Sequence, residues 1–164
     1  SYVHIAHDCI FEDHVIFINN ASIAGHVTIK HHAILGPFSA VHQFVRIGEQ
    51  AMIGGGSLVR KDVPPYITVA REPLSYVGVN SIGLRRRKFD RDTIHHIESI
   101  YRILFLQEQN KNKALELIEK EIKATEIRDE ILDFVRNGKR GIIRGYRSLR
   151  GAGRLEDLTP IQSK

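Results

Sequence analysis

Residues 4–30 read HIAHDCIFEDHVIFINNASIAGHVTIK, and this stretch decides the fold. Counting from Ile5 in steps of six gives Phe11, Phe17, Ile23, Ile29, Leu35, Val41, Ile47, Ile53 and Val59, ten apolar residues without exception. Four places after each comes a second column: Cys9, Val15, Ala21, Val27, Ala33, Ser39, Val45, Ala51, Ser57 and Val63, all small or aliphatic. The residue just after the first column is often Ala or Gly (Ala6, Ala24, Gly36, Gly48, Gly54). Neither a helical stripe nor plain strand alternation sustains such a pattern for sixty residues.

A period of six with two inward positions suits a short strand and a turn, and three such units close one coil of a parallel β-helix. The pattern resembles the hexapeptide-repeat left-handed β-helix. Residues eighteen apart should then stack at about the 4.8 Å inter-strand spacing. Fold class is therefore mainly β solenoid plus α, with coils over residues 1–65. Pro64-Pro65 closes the repeat, because proline has no N–H for a strand ladder. An irregular linker is expected over 66–83, a helical domain over 84–144 and a basic tail over 145–164. Within the helical domain Asp90 or Asp92 is the expected N-cap of a helix carrying Ile94, Ile97, Tyr101, Leu104 and Phe105. Further helices are expected over Asn112–Ala124 and Glu126–Arg136, the last ended by Gly138 at C′.

Composition is that of an ordinary soluble globular protein, with 164 residues, 42% hydrophobic and 26% charged. No apolar run approaches a membrane-spanning length. A lone Cys9, at an inward column, cannot form an intramolecular disulfide, and with no secretory signal at the start the expected setting is cytoplasmic. The net charge of +5 is unevenly placed: residues 1–80 carry −1 and residues 81–164 carry +6. Seven of the nine histidines fall in the first 42 residues, so that segment is nearly neutral but rich in groups that titrate near physiological pH. With the positive charge confined to the helical arm and tail, no nucleic-acid partner is required.

The third and fourth positions of each hexad fall at turns, where side chains project outward. His7-Asp8, Gly25-His26 and His42-Gln43, with Phe44 beside them, thus form one vertical strip spanning about 10 Å at the sheet spacing. A histidine beside a carboxylate, with an exposed glycine N–H one coil away, meets the requirements of an acyl-transfer site. His14, His31 and His32 lie at similar outward positions and read as solvated turn residues.

The motifs His4-Ile5-Ala6-His7-Asp8-Cys9, Ala24-Gly25-His26-Val27, Ala40-Val41-His42-Gln43-Phe44, Asp62-Val63-Pro64-Pro65-Tyr66, Gly78-Val79-Asn80 and Gly83-Leu84-Arg85-Arg86-Arg87 with Phe89 occur in that order. In them the chain resembles the acyl-[acyl-carrier-protein]–UDP-N-acetylglucosamine O-acyltransferase family, from residue 2 to about Arg144. The resemblance implies a homotrimer with active sites between subunits and no cofactor or metal. It also implies transfer of an (R)-3-hydroxyacyl chain from acyl carrier protein to the 3-hydroxyl of UDP-N-acetylglucosamine, the first step of lipid A synthesis. Carried over by motif, His7 is the general base, Asp8 orients it and the Gly25 N–H receives the oxyanion. His4, His26, His42 and Gln43 contact the nucleotide sugar or shape its pocket. Asn80 holds donor or nucleotide, Arg87 meets phosphate, Arg86 serves the carrier protein and Gly55 sets acyl-chain length.

Alternative readings are an N-acyltransferase on an amino UDP-sugar, a zinc carbonic-anhydrase-like hexapeptide protein and a noncatalytic scaffold. Against zinc stands His7 being followed by Asp8 rather than arranged with two more ligands. The chain departs from the family at Arg71-Glu72-Pro73 and in the tail beyond Arg144. Family members carry several more coils before the catalytic repeat, so the chain is expected to be the C-terminal portion of such an enzyme, weak or inactive alone.

Overall fold

In the computed structural model, which describes residues 1–145, the six-residue period becomes a run of two-residue strands. These are β1 (His4–Ile5), β2 (Ile10–Phe11), β3 (Ile16–Phe17), β4 (Ser22–Ile23), β5 (Thr28–Ile29), β6 (Ile34–Leu35), β7 (Ala40–Val41), β8 (Arg46–Ile47), β9 (Met52–Ile53) and β10 (Leu58–Val59). They stack as three parallel sheets, β1-β4-β7-β10, β2-β5-β8 and, in the third, β3-β6-β9. The partners His4↔Ser22, Ile10↔Thr28 and Ile16↔Ile34 are eighteen residues apart, as the period requires.

Each corner turns on a residue in the left-handed region, with φ of 58° at Asp8, 61° at His14, 59° at His26, 58° at His32 and 64° at Phe44. Asp, Asn and His tolerate this region better than most residues, and they fill many of these slots. Ladder bonds between corners hold the turns in register, for example His26 N to His7 O at 3.0 Å and Phe44 N to Gly25 O at 3.2 Å.

Both sequence columns point inward. Ile23, Ile29, Leu35, Val41, Ile47, Ile53 and Val59 are buried, as are Ala21, Val27, Ala33, Val45 and Ala51. Burial of each large aliphatic is worth roughly 1.5–3 kcal/mol. The inward serines bond locally, Ser39 Oγ to Gly36 O at 2.8 Å and Ser57 Oγ to Gly54 O at 2.6 Å. Cys9 is half-buried against this core and donates its thiol to Ala24 O at 3.1 Å.

The six-residue period is lost ahead of Pro64-Pro65, where its end was expected, and the stacking continues past the prolines. Beyond Val59 the partners become Ile47↔Val63 and Met52↔Thr68, sixteen residues apart instead of eighteen. Segment 66–83, expected to be irregular, forms an antiparallel hairpin of β11 (Ile67–Ala70) and β12 (Ser75–Val79) that extends the third sheet. The physical reason is that Ile67 and Val69 alternate inward and prolong the core after the period is lost. Gly48 permits the crossing, since a Cβ there would overlap Pro65.

Helices follow: α1 (Ser81–Arg86), α2 (Arg91–Arg102), α3 (Lys111–Glu121) and α4 (Glu126–Arg136), with a π-helical segment Ile103–Gln107 after α2. Asp90 caps α2, accepting from Thr93 N at 2.7 Å, while Asn110 and Thr125 cap α3 and α4. Helix α3 starts one residue before the expected position, because Asn110 is its cap, and ends at Glu121. Leu104 and Phe105 fall on the π-helical segment and not on α2 itself. The strand β13 (Arg144–Gly145) returns to pair with β12. The expected basic tail, apart from Gly145, lies outside the described residues. Among the described residues no helix is long and apolar enough to cross a membrane.

The helices are tied to the solenoid by Arg46 and Asp62. Asp62 is 1% exposed and accepts from Arg46 N, Nε and Nη2, each at 2.9 Å. The same guanidinium donates to Phe134 O at 2.7 Å and lies 4.2 Å from the Phe134 ring centre. Gly138 does follow the α4 cap, Asn137, yet its backbone is not left-handed. It is glycine for another reason: a Cβ would stand 2.8 Å from Arg46 Nη2 and 3.0 Å from Asp62 Oδ2.

Candidate functional site

The solenoid has three corners. The first follows β1, β4 and β7, the second follows β2, β5 and β8, and the third follows β3, β6 and β9. Because residues eighteen apart stack, the first corner brings His7, Gly25 and Gln43 into one column and Asp8, His26 and Phe44 into the next.

His7 Nδ1 lies 2.8 Å from Asp8 Oδ2, and His26 Nε2 lies 3.7 Å from the same oxygen. Hydrogen bonding to His7, with His26 nearby, holds the Asp8 carboxyl below the usual carboxylate range, so it is ionised at neutral pH. The His7 and His26 rings meet edge-on with centres 5.0 Å apart, and His26 stacks on Phe44 at 4.8 Å with an interplanar angle of 6°. Gly25 makes room for this arrangement. A Cβ on it would be 2.9 Å from His7 Nε2 and 2.9 Å from His7 Cε1, so any larger residue would displace the imidazole. Among the described residues the Gly25 N–H has no hydrogen-bond partner, while its carbonyl accepts from Phe44 N. His7 and Asp8 are exposed. The corner thus presents an oriented imidazole, an ionised carboxylate and a free backbone donor on one open surface.

His42 lies beside this strip, with Nδ1 3.2 Å from Gln43 O, and His4 lies on β1 of the same face. Other candidate residues sit elsewhere on the chain. Asn80 is buried at the second corner, where its amide donates to Gln50 O at 2.9 Å and its Oδ1 accepts from Gly83 N at 3.2 Å as the α1 cap. Arg87 is half-buried there, donating to Gly83 O at 3.4 Å and to His32 O at 3.5 Å, and Arg86 is exposed beside it. Gly55 is at the third corner, where a Cβ would meet Pro37 at 3.2 Å. These residues therefore fall at corners other than the one that carries His7, Asp8 and Gly25.

Three features go beyond the roles that the motifs assign. Phe44 as the platform for His26 is readable in retrospect, since the two occupy the same slot one coil apart. His26 also brings a third potential ligand to His7 and Asp8, contrary to the expectation that His7 lacks such neighbours. The third is a cluster at the second corner, where Tyr66 Oη bonds both Glu49 and Glu130, the latter at 2.6 Å. Burial and the nearby Glu49 carboxylate push the Glu130 carboxyl up to about 7. An open cleft of about 710 Å³ adjoins this cluster, lined by Glu12, Lys30, Arg46, Glu49 and Glu130 among others. It lies on the second sheet, away from His7.

The family profile described as Udp N-acetylglucosamine O-acyltransferase, Domain 2, matches residues 62–143. The acyl-[acyl-carrier-protein]–UDP-N-acetylglucosamine O-acyltransferase of Thiobacillus denitrificans is 41% identical over 145 residues, covering 88% of this chain and 56% of the relative. That of Burkholderia mallei is 43% identical over 154 residues, again covering 88% and 56%. Among solved structures, the UDP-N-acetylglucosamine acyltransferase from Bacteroides fragilis superposes with a TM-score of 0.84 at 41% identity, covering 87% of this chain and 56% of that one. The corresponding protein from Acinetobacter baumannii gives 0.82 at 39% identity, with 87% and 55% covered. The chain spans a little over half the length of the curated relatives it matches. With the family profile matching half of the chain and solved members superposing on it at TM-scores above 0.8, this chain belongs to the UDP-N-acetylglucosamine O-acyltransferase family.

Proposed function

We propose that the protein containing this chain transfers an (R)-3-hydroxyacyl group from acyl carrier protein to the 3-hydroxyl of UDP-N-acetylglucosamine, opening lipid A synthesis. The observation that carries the reading is the His7–Asp8–Gly25 arrangement: an imidazole held by an ionised carboxylate, lying over a glycine whose N–H is unpartnered among the described residues. With its Nδ1–H donated to Asp8, the neutral ring presents Nε2 as a base. Nε2 removes the proton of the sugar hydroxyl as the oxygen attacks the thioester carbonyl. The Gly25 N–H receives the developing oxyanion, and as the C–S bond breaks the carrier's sulfur leaves with the proton that Nε2 took, which restores the neutral ring. A general base contributes about 10²–10⁴-fold and an oxyanion donor about 10²–10³-fold.

The separation of the candidate residues over three corners supports a homotrimer whose sites are completed by a neighbouring subunit. His7, His26, His42 and Gln43 are read as one wall. Arg86 and Arg87, at a different corner, are read as the groups that meet carrier protein and phosphate, and Gly55 as the end of the acyl channel. Asn80, with its amide engaged on Gln50 and Gly83, is read as positioning this second wall from beneath.

The test is an assay of the full-length protein with UDP-N-acetylglucosamine and a panel of hydroxyacyl carrier proteins, with H7A as control. Ester product from the parent and none above background from H7A is expected. An amide product from an amino UDP-sugar, with no ester, would replace the reading by N-acylation.

A further inference from the structure

We propose that His7, Asp8 and His26 form a three-ligand site for a borderline divalent transition metal, zinc foremost, and that its occupancy blocks acyl transfer. The blocking half rests on the function proposed above, whereas the binding half stands on geometry alone. One nitrogen or oxygen from each of the three side chains lies within 4.8 Å of the others. Two of the separations are 2.8 Å (His7 Nδ1 to Asp8 Oδ2) and 3.7 Å (His26 Nε2 to Asp8 Oδ2). They bracket the roughly 3.3 Å between neighbouring ligands on a tetrahedral ion with bonds of about 2.0–2.1 Å. Two imidazoles and a carboxylate form a donor set that zinc takes readily.

The ligands are also oriented before any ion arrives. His26 is held face-on by Phe44 and edge-on by His7, and His7 is seated in the space that the missing Cβ of Gly25 leaves. Little side-chain freedom is therefore lost on binding. All three side chains reach solvent, so the site fills without any opening of the fold. Among the described residues no fourth His, Cys, Asp or Glu joins them, and the thiol of nearby Cys9 is engaged on Ala24 O. The remaining coordination positions fall to water, which makes the site reversible and of modest affinity.

The block follows from the tautomer. A metal on His7 Nδ1 displaces the ring's single N–H, which moves through solvent to Nε2. Nε2 is the atom that must be unprotonated to take the sugar proton, so base and metal ligand exclude each other.

The experiment titrates the substrate-free protein with Co²⁺, read by its visible ligand-field bands, and then with Zn²⁺ in competition and by calorimetry. D8N and H26N are the variants, because both positions have left-handed backbone, φ 58° and 59°, which Asn tolerates. One ion per chain is expected, with affinity falling about tenfold or more in each variant, and the acyl-transfer rate of the parent falling with zinc and returning on chelation. Absence of saturable binding, or binding unchanged in both variants, overturns the site. Saturable binding at the site with an unaffected acyl-transfer rate overturns the block. Metal binding is read without substrates, so absence of acyl transfer leaves the titration standing, and absence of binding leaves the acyltransferase reading standing.

Discussion

The first and second corners of the solenoid are built by the same six-residue rule, yet they end in opposite electrostatic states. At the first, His7, Asp8 and His26 stand in solvent and Gly25 keeps an unpartnered N–H. At the second, α1 and α4 fold over the turn, and the polar groups of Tyr66, Asn80, Glu49 and Glu130 are bonded to one another or to backbone. A repeat fixes where a turn falls. What covers the turn decides whether its polar groups are available for chemistry or consumed in holding the fold.

The sharpest way to break this contrast is to substitute one side chain at the open corner and one beneath the covered face. His7→Ala should lower kcat by about 10²–10⁴-fold while the unfolding midpoint stays close to the parent's, because an exposed side chain supports little packing. Asp62→Ala should do the reverse. Removing a carboxylate that is 1% exposed leaves Arg46 facing Phe134 and Gly138 without its counter-charge, at a cost of about 3 kcal/mol in denaturant unfolding. If His7→Ala destabilises as much as Asp62→Ala, the open corner is structural and the contrast fails.

Gly25→Ala sharpens the same contrast at a smaller scale. The added methyl meets the His7 ring at 2.9 Å, so the imidazole must swing away from Asp8 while the glycine backbone, which is not left-handed, accepts alanine without strain. A fall in kcat of about 10–100-fold is expected, with little change in stability. Undiminished kcat would show that the ring does not act from the position described here.

How much of this could be read in advance depends on whether a period reaches it. The stacking of His7, Gly25 and Gln43 follows from counting by eighteen, and so does the seating of His26 on Phe44. The rule fails where two residues are lost after Val59: the hairpin of β11 and β12 is invisible to it, although Ile67 and Val69 carry an ordinary strand alternation. Asn80 shows a different limit. Its motif points to a ligand contact, but its amide caps α1 and donates to Gln50 across 30 residues that no repeat relates. The Arg46–Phe134 contact spans 88 residues between a strand and a helix, and neither stretch of sequence names the other.

The smallest effect isolates the covered corner by its pH dependence. Tyr66 has one phenolic proton, yet both Glu49 and Glu130 bond its oxygen, so one of these bonds needs a proton from a carboxyl group. Glu130 is the group that keeps it: burial foremost, and then the Glu49 carboxylate, push it up to about 7 against the opposing effects of the Tyr66 hydrogen bond and of Lys30. Its ordinary value is about 4.3, so the folded state holds this proton more tightly than the unfolded chain. The stabilisation is then complete below about pH 4.3 and is lost as pH rises through about 7. Glu130→Gln retains a neutral, hydrogen-bonding side chain at every pH. The variant should match the parent near the acid end of that window and exceed it above neutrality by on the order of 1 kcal/mol, reduced by the partial solvent access of the site. The quantity to follow is the difference between the two unfolding free energies across the window, in which contributions common to both proteins cancel. A difference that does not change with pH would mean that Glu130 is ionised in the folded state, and the covered corner would then hold two carboxylate charges against one phenol.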